Sequence, residues 1–134
     1  MSASLDAKSV LVIEDQFLIA MDLEQALRRA GAIDVRLASS VRDALHALTS
    51  FVPQAAVLDL TLGDGTGVDV ARALTEQQVP FVFATGYGDG VSIPAPYRHV
   101  PIVRKPFTVD ELISQLNRAT AAGAADPTSA DRRT

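Results

Sequence analysis

KSVLVIE, residues Lys8 to Glu14, is a β-branched apolar run with no polar alternation. A strand with one wet face alternates, whereas a run of this kind is buried on both faces, the habit of a parallel sheet covered by helices on each side. Working outward from it, the helical period follows at once. Ile19, Leu23, Ala26, Leu27 and Ala30 recur at three- and four-residue steps, and Gly31 ends the pattern as a C-cap. Ile33 to Leu37 reads as a second strand, and Ser40 as the N-cap of a helix carrying Val41, Ala44, Leu45 and Leu48. Gln54 to Leu60, QAAVLDL, is a third strand. Val68 to Glu76 is a third helix with Thr66 as its expected cap, and Phe81 to Ala84 and Val100 to Val103 are the fourth and fifth strands. Thr108-Val109-Asp110-Glu111 opens a last helix as a capping box, with Val109, Leu112, Ile113, Leu116 and Ala119 as its apolar stripe.

Strand and helix alternate five times, which predicts an α/β fold: an open five-stranded parallel sheet, doubly wound. The segment Gly86 to His99, GYGDGVSIPAPYRH, is too rich in glycine and proline for a regular helix, so the fourth helix is expected to be short or disordered. The expected organisation is an N-terminal extension over 1–7, one domain over 8–121 and a disordered tail over 122–134.

The chain has 134 residues, is 48% hydrophobic and carries a net charge of −4 with a pI of about 5.0. That suits one domain with a sizeable core and argues against direct nucleic-acid binding. The apolar runs are too short for membrane insertion, and the N-terminus lacks the pattern of a signal peptide. Cysteine is absent, which excludes disulfides and thiolate metal sites and fits a cytoplasmic location.

In sheets of this kind ligands sit beyond the carboxyl ends of the strands, so the residues ending each strand matter most. The first ends in Glu14-Asp15, the third in Asp59, the fourth in Thr85 and the fifth in Arg104-Lys105-Pro106. Three carboxylates held together repel one another unless a cation is present. Mg2+ suits them, because it takes one or two carboxylates and keeps room for a phosphate oxygen. An aspartate beside such an ion can accept a phosphoryl group, with Lys105 supplying a second positive charge and Thr85 a hydroxyl donor. The glycines after Thr85 (Gly86, Gly88 and Gly90) would let the backbone approach that group closely. His46 and His99 read as solvated side chains.

These residues resemble the receiver domain of two-component response regulators. The resemblance rests on VLVIEDQ with Glu14 and Asp15, VLDLTLGDGTG with Asp59, FATG with Thr85, and RKPF with Lys105 and Pro106. It spans about Ser9 to Thr120 and implies the flavodoxin-like strand order 2-1-3-4-5. It further implies Asp59 as phosphoacceptor, Asp15 as a direct Mg2+ ligand, Glu14 acting through water, and the Thr61 carbonyl completing the protein ligands. Lys105 would grip the phosphoryl group, with a cis bond to Pro106, and Thr85 would be the switch hydroxyl. PFVFATGYG is similar to a subgroup with a Phe-Ala-Thr-Gly signature, mostly stand-alone receivers of alphaproteobacteria. The position of the usual aromatic switch residue is Ile102 here, and Tyr87 is the expected substitute. Gly63 stands where a proline is common.

The function so implied is that of a single-domain response regulator, a phosphoprotein rather than an enzyme, which catalyses its own phosphorylation and dephosphorylation. Its partners would be a sensor histidine kinase or histidine phosphotransfer protein, and a downstream protein or competing receiver. It would be a monomer or weak dimer. Two other readings make different demands on the sequence. An aspartate-nucleophile phosphatase normally carries a second aspartate two residues after the first, where this chain has Thr61. A phosphorylation-independent interaction module would have no need of Asp15, Asp59, Thr85 and Lys105 together.

Overall fold

In a computed structural model, Leu5 and residues 8–60, 67–86 and 93–125 are described. The elements are β1 (Ser9–Ile13), α1 (Phe17–Arg29), β2 (Asp34–Ala38), α2 (Val41–Ala47), β3 (Ala55–Asp59), α3 (Val68–Glu76), β4 (Phe81–Thr85), a 3-10 turn (Ala95–Tyr97), β5 (Ile102–Arg104) and α4 (Val109–Ala125). All four strand pairings are parallel, and the order is β2-β1-β3-β4-β5. This is the expected doubly wound sheet. Between β4 and β5 the described residues hold the 3-10 turn and no α-helix, in line with the glycine and proline content of that segment.

Burial follows from the order. The three central strands, β1, β3 and β4, are buried almost throughout, which is why their sequences do not alternate. Their side chains still divide by parity between two cores. Val10, Val12, Val57, Val82 and Ala84 pack with Leu23 and Leu27 of α1 and Leu112 and Leu116 of α4. Leu11, Ile13, Ala56, Leu58, Phe81 and Phe83 pack on the other face with Ala44 of α2 and Val70 and Leu74 of α3. Phe81 and Phe83 meet edge-to-face at 5.5 Å. The edge strands are wetter. On β2 the guanidinium of Arg36 sits 4.1 Å from the centre of the Phe51 ring, and Arg28 of α1 donates to the Val35 carbonyl at 3.2 Å. Leu5, within the expected N-terminal extension, belongs to the first core: it is 1% exposed and its N–H donates to the Ala30 carbonyl.

The helix ends show how local chemistry sets the boundaries. Ser40 Oγ accepts the Asp43 N–H at 2.9 Å, as an N-cap should. Thr108 and Glu111 exchange both bonds of the capping box, at 2.9 and 3.1 Å. Gly31, at φ 110°, closes α1: its N–H reaches the Arg28 carbonyl while the Ala32 N–H reaches that of Leu27. The same closure ends α3, with the Gln78 N–H on Thr75 and the Val79 N–H on Leu74. Here the left-handed position, φ 61°, is occupied by exposed Gln78. A side chain there costs about 1 kcal/mol or more relative to glycine. Gln78→Gly is therefore expected to stabilise the protein by about 1 kcal/mol in urea unfolding; a loss of stability would contradict this account.

The larger boundary differences from the sequence reading fall at β5 and α4, while the ends of the other strands shift by at most one residue. β5 begins at Ile102 rather than Val100, because the Val100 N–H is taken by the Tyr97 carbonyl as the 3-10 turn closes. α4 runs to Ala125, beyond the boundary set at 121 where the apolar stripe ends. Alanines need no apolar stripe to continue a helix, being its best formers. Residues 126–134 of the expected tail, and Thr66 as expected cap, lie outside the described residues; Gly67 stands at the N-cap of α3.

Candidate functional site

The parallel register brings the strand ends to one rim. Asp59 pairs with Ala84 and Thr85 with Arg104, so the ends of β3, β4 and β5 lie side by side, and the Glu14 N–H on the Ala38 carbonyl continues β1 beside β2. The Lys105 N–H donates to the Thr85 carbonyl at 2.7 Å and fixes the chain after β5 to β4. The Lys105–Pro106 bond is cis, as the resemblance implied.

Glu14, Asp15 and Asp59 each place a carboxylate oxygen within 4.8 Å of the others. Glu14, Asp59 and Thr85 are the buried polar residues of the described chain, while Asp15 is exposed. Lys105 Nζ lies 2.7 Å from Glu14 Oε1 and 3.4 Å from Asp59 Oδ2. The second Glu14 oxygen accepts the Gln16 N–H at 3.1 Å, which holds the side chain turned inward at the start of α1.

Burial raises the Glu14 carboxyl above its ordinary range, and the Asp59 charge adds to this; the Lys105 hydrogen bond opposes without cancelling. For Lys105 burial acts to lower the ammonium, but its hydrogen bond to Glu14 and the charge of Asp59 outweigh it, and the net shift is upward. Three carboxylates against one ammonium leave the pocket short of positive charge. Its donors are all oxygen, two of the three carboxylates are withdrawn from bulk water, and the third opens to solvent. Such a set fits a hard divalent cation of the Mg2+ type.

A profile of the response regulator receiver domain matches residues 10–117. The chain belongs to this family. Among curated proteins, the receiver resembles the acid tolerance regulatory protein ActR of Sinorhizobium medicae, at 33% identity over 61% of this chain and 43% of that protein. It also resembles the sensory transduction protein LytT of Bacillus cereus, at 29% over 81% of this chain and 46% of that protein. The chain thus spans less than half the length of these two relatives. Among solved structures it is similar to a response regulator receiver protein from Sinorhizobium medicae, with 27% identity, a TM-score of 0.74, and coverage of 90% of this chain and 99% of that one.

Within the receiver, the expected residues Glu14, Asp15, Asp59, Thr85, Lys105 and Pro106 therefore share one rim. Ile102 does not reach it: it lies at the opposite end of β5, 39% exposed. Thr61 and Tyr87 lie outside the described residues, as do Gly63, Gly88 and Gly90. His46 and His99 are exposed, as expected. At Gly86 an added Cβ would meet nothing within 4 Å, so no close approach requires that glycine.

Gly67, immediately ahead of α3, has a role that the sequence pattern does not announce. It adopts φ +81°, and a Cβ there would stand 3.3 Å from the Asp59 carbonyl oxygen and 3.3 Å from Leu58 Cδ1. The backbone before α3 is thus packed against the back of the Asp59 peptide. The available signal was a glycine immediately ahead of a helical stripe, at a position that usually carries a hydroxyl or carboxamide. Gly67→Ala should cost about 1–2 kcal/mol from the left-handed backbone alone, read as a lower urea midpoint. A midpoint equal to wild type would remove the constraint.

Proposed function

We propose that this receiver is a phosphorylatable switch: Asp59 accepts a phosphoryl group from a phosphohistidine of a sensor kinase or phosphotransfer protein. The observation that carries the reading is the convergence of Glu14, Asp15 and Asp59 with Lys105 within one buried-to-open pocket. An Asp59 oxygen attacks phosphorus, the P–O bond forms as the P–N bond breaks, and the histidine nitrogen leaves with the electron pair. The product is an acyl phosphate. Lys105 moves its charge toward the transferred oxygens, and Thr85 offers them its hydroxyl. Glu14, Asp15, Asp59 and the Thr61 carbonyl would hold Mg2+, which when bound shields the negative charge of both carboxylates and phosphoryl oxygens.

The chain acts here as a phosphoacceptor that catalyses its own modification, not as an enzyme turning over a separate substrate. Phosphorylation biases a surface near β4 and β5, tuned by Tyr87 and Ile102, toward a downstream protein or a competing receiver. The Phe-Ala-Thr-Gly motif, Phe83 to Gly86, supports a place in the subgroup that carries this signature, whose members are mostly stand-alone receivers. No helix among the described residues is long and apolar enough to cross a membrane, and we place the protein in the cytoplasm as a monomer or weak dimer.

The test is incubation with a small phosphoramidate donor and Mg2+. One acid-stable, base-labile phosphoryl group should appear on Asp59, be absent from Asp59→Asn, and be absent when the metal is chelated. Undiminished labelling of Asp59→Asn would overturn the assignment, and sustained turnover of phosphoesters would make the protein a phosphatase instead.

A further inference from the structure

An exposed apolar side chain on its own is ordinary on a protein surface. The four most exposed large apolar residues of the described chain, however, fall in two pairs: Leu18 and Phe17, 75% and 70% exposed, and Ile33 and Val52, 68% and 62% exposed. The pairs sit at opposite ends of the sheet. Phe17 and Leu18 open α1 just past the carboxyl end of β1, on the side of the acidic rim. Ile33 and Val52 flank the start of β1. The Ile33 N–H donates to the Lys8 carbonyl at 2.8 Å, and Gln54, two residues after Val52, donates its N–H to the Ser9 carbonyl at 2.9 Å. Since β2 and β3 lie on either side of β1, the backbones there stand about 10 Å apart, two strand spacings.

The charges around the pairs are opposite. Beside Phe17 and Leu18 stand the exposed carboxylates of Asp15 and Asp22. Beside Ile33 and Val52 stand Lys8, whose carbonyl holds Ile33, and Arg29, which ends α1 four residues before Ile33. None of these four charges enters an ion pair among the described residues. Asp34, next to Ile33, is taken up by Arg36 at 3.3 Å. We propose that the two pairs are the halves of one self-association surface: the acidic apolar end of one copy of this chain seats on the basic apolar end of the next. Opposite charges around matched apolar centres select a second copy as the occupant, because one chain carries both halves. The contact is heterologous, so its first product is a dimer with one half free at each end, and further copies can add. It goes beyond the phosphoacceptor reading and needs neither metal nor phosphoryl group. Two apolar side chains on each side cover far less than the roughly 1,600 Å² of a standard interface, so the dissociation constant is expected at about 0.1–1 mM.

The experiment is sedimentation velocity on the unphosphorylated, metal-free protein from about 10 μM to about 1 mM, at about 50 mM salt where exposed charges are weakly screened. The weight-average sedimentation coefficient of wild type should rise with concentration. Leu18→Lys spoils the acidic half and Val52→Glu the basic half, and each variant alone should stay monomeric throughout. Their equimolar mixture should form a dimer and stop there, because each variant keeps the half that the other has lost. A wild type that stays monomeric, single variants that associate as wild type does, or a mixture without dimer overturns the proposal. Should either variant not fold, Phe17→Lys or Ile33→Glu takes its place in the same scheme.

Discussion

Lys105→Met is expected to accept phosphoryl groups from a small donor about 10²–10³ times more slowly than wild type, the usual effect of losing one preorganised charge or donor at a transferring group. The substitution spares Glu14, Asp15 and Asp59, so the proposed nucleophile and metal ligands remain. What is lost is the cation that stands 3.4 Å from Asp59 Oδ2 before transfer begins. The readout is the initial rate of acyl phosphate formation at saturating Mg2+. Saturation matters, because a change in metal affinity must not be mistaken for a change in transfer. A rate within a few-fold of wild type would mean that Lys105 has a structural role only. Removing one partner of a buried pair also destabilises, by up to about 3–5 kcal/mol where both charges are dry. The cost here should be smaller, since Lys105 retains some exposure and Glu14 can take up a proton.

The second large effect is on stability, and its sign depends on pH. In the metal-free protein the folded state holds the Glu14 proton more tightly than the unfolded chain does, because the pKa is raised above its ordinary 4.5. Stability from this group is fully present below that value and is lost as pH rises through the folded pKa. Lys105 is also raised, above 10.5, so its contribution is fully present below 10.5 and is lost only as pH climbs past its folded value. As pH rises through that folded value, the protein takes on the cost of an ionised Glu14. A cation favours that ionised form. At about 100 times its dissociation constant, Mg2+ should stabilise by about 2.7 kcal/mol, or about 10 °C in Tm for a domain of this size. Chelation should remove this gain at about pH 7 and change little at about pH 4. Equal Tm shifts at the two pH values would show that Glu14 takes no part in holding the ion.

Much of this is legible in the sequence alone. Unbroken apolar runs in β1, β3 and β4 announce strands buried on both faces, and the polar residues that end them announce the rim. Glu14, Asp59 and Lys105 were readable because a hydrophobic strand tolerates charge only at its end. Other features were hidden for identifiable reasons. The left-handed closure of α3 falls on Gln78, a residue that gives no sign of positive φ, whereas Gly31 announces the same closure on α1. The role of Gly67 depends on its distance to the Asp59 carbonyl, which no spacing along the chain encodes. The choice of Glu14 over Asp59 by the Lys105 ammonium is a difference of less than 1 Å between two partners 91 and 46 residues away. Local pattern locates charges at a rim; it does not rank them by distance.

On the far side of the molecule, the Arg28 guanidinium laid on the Val35 carbonyl bears on solubility. β2 is a terminal strand of the sheet, the place where a foreign strand would most readily add. An intruder would first have to evict a cation that is itself anchored to Glu24. That margin is thereby guarded against fibril-like stacking, so crowding many copies together should not zip them along it.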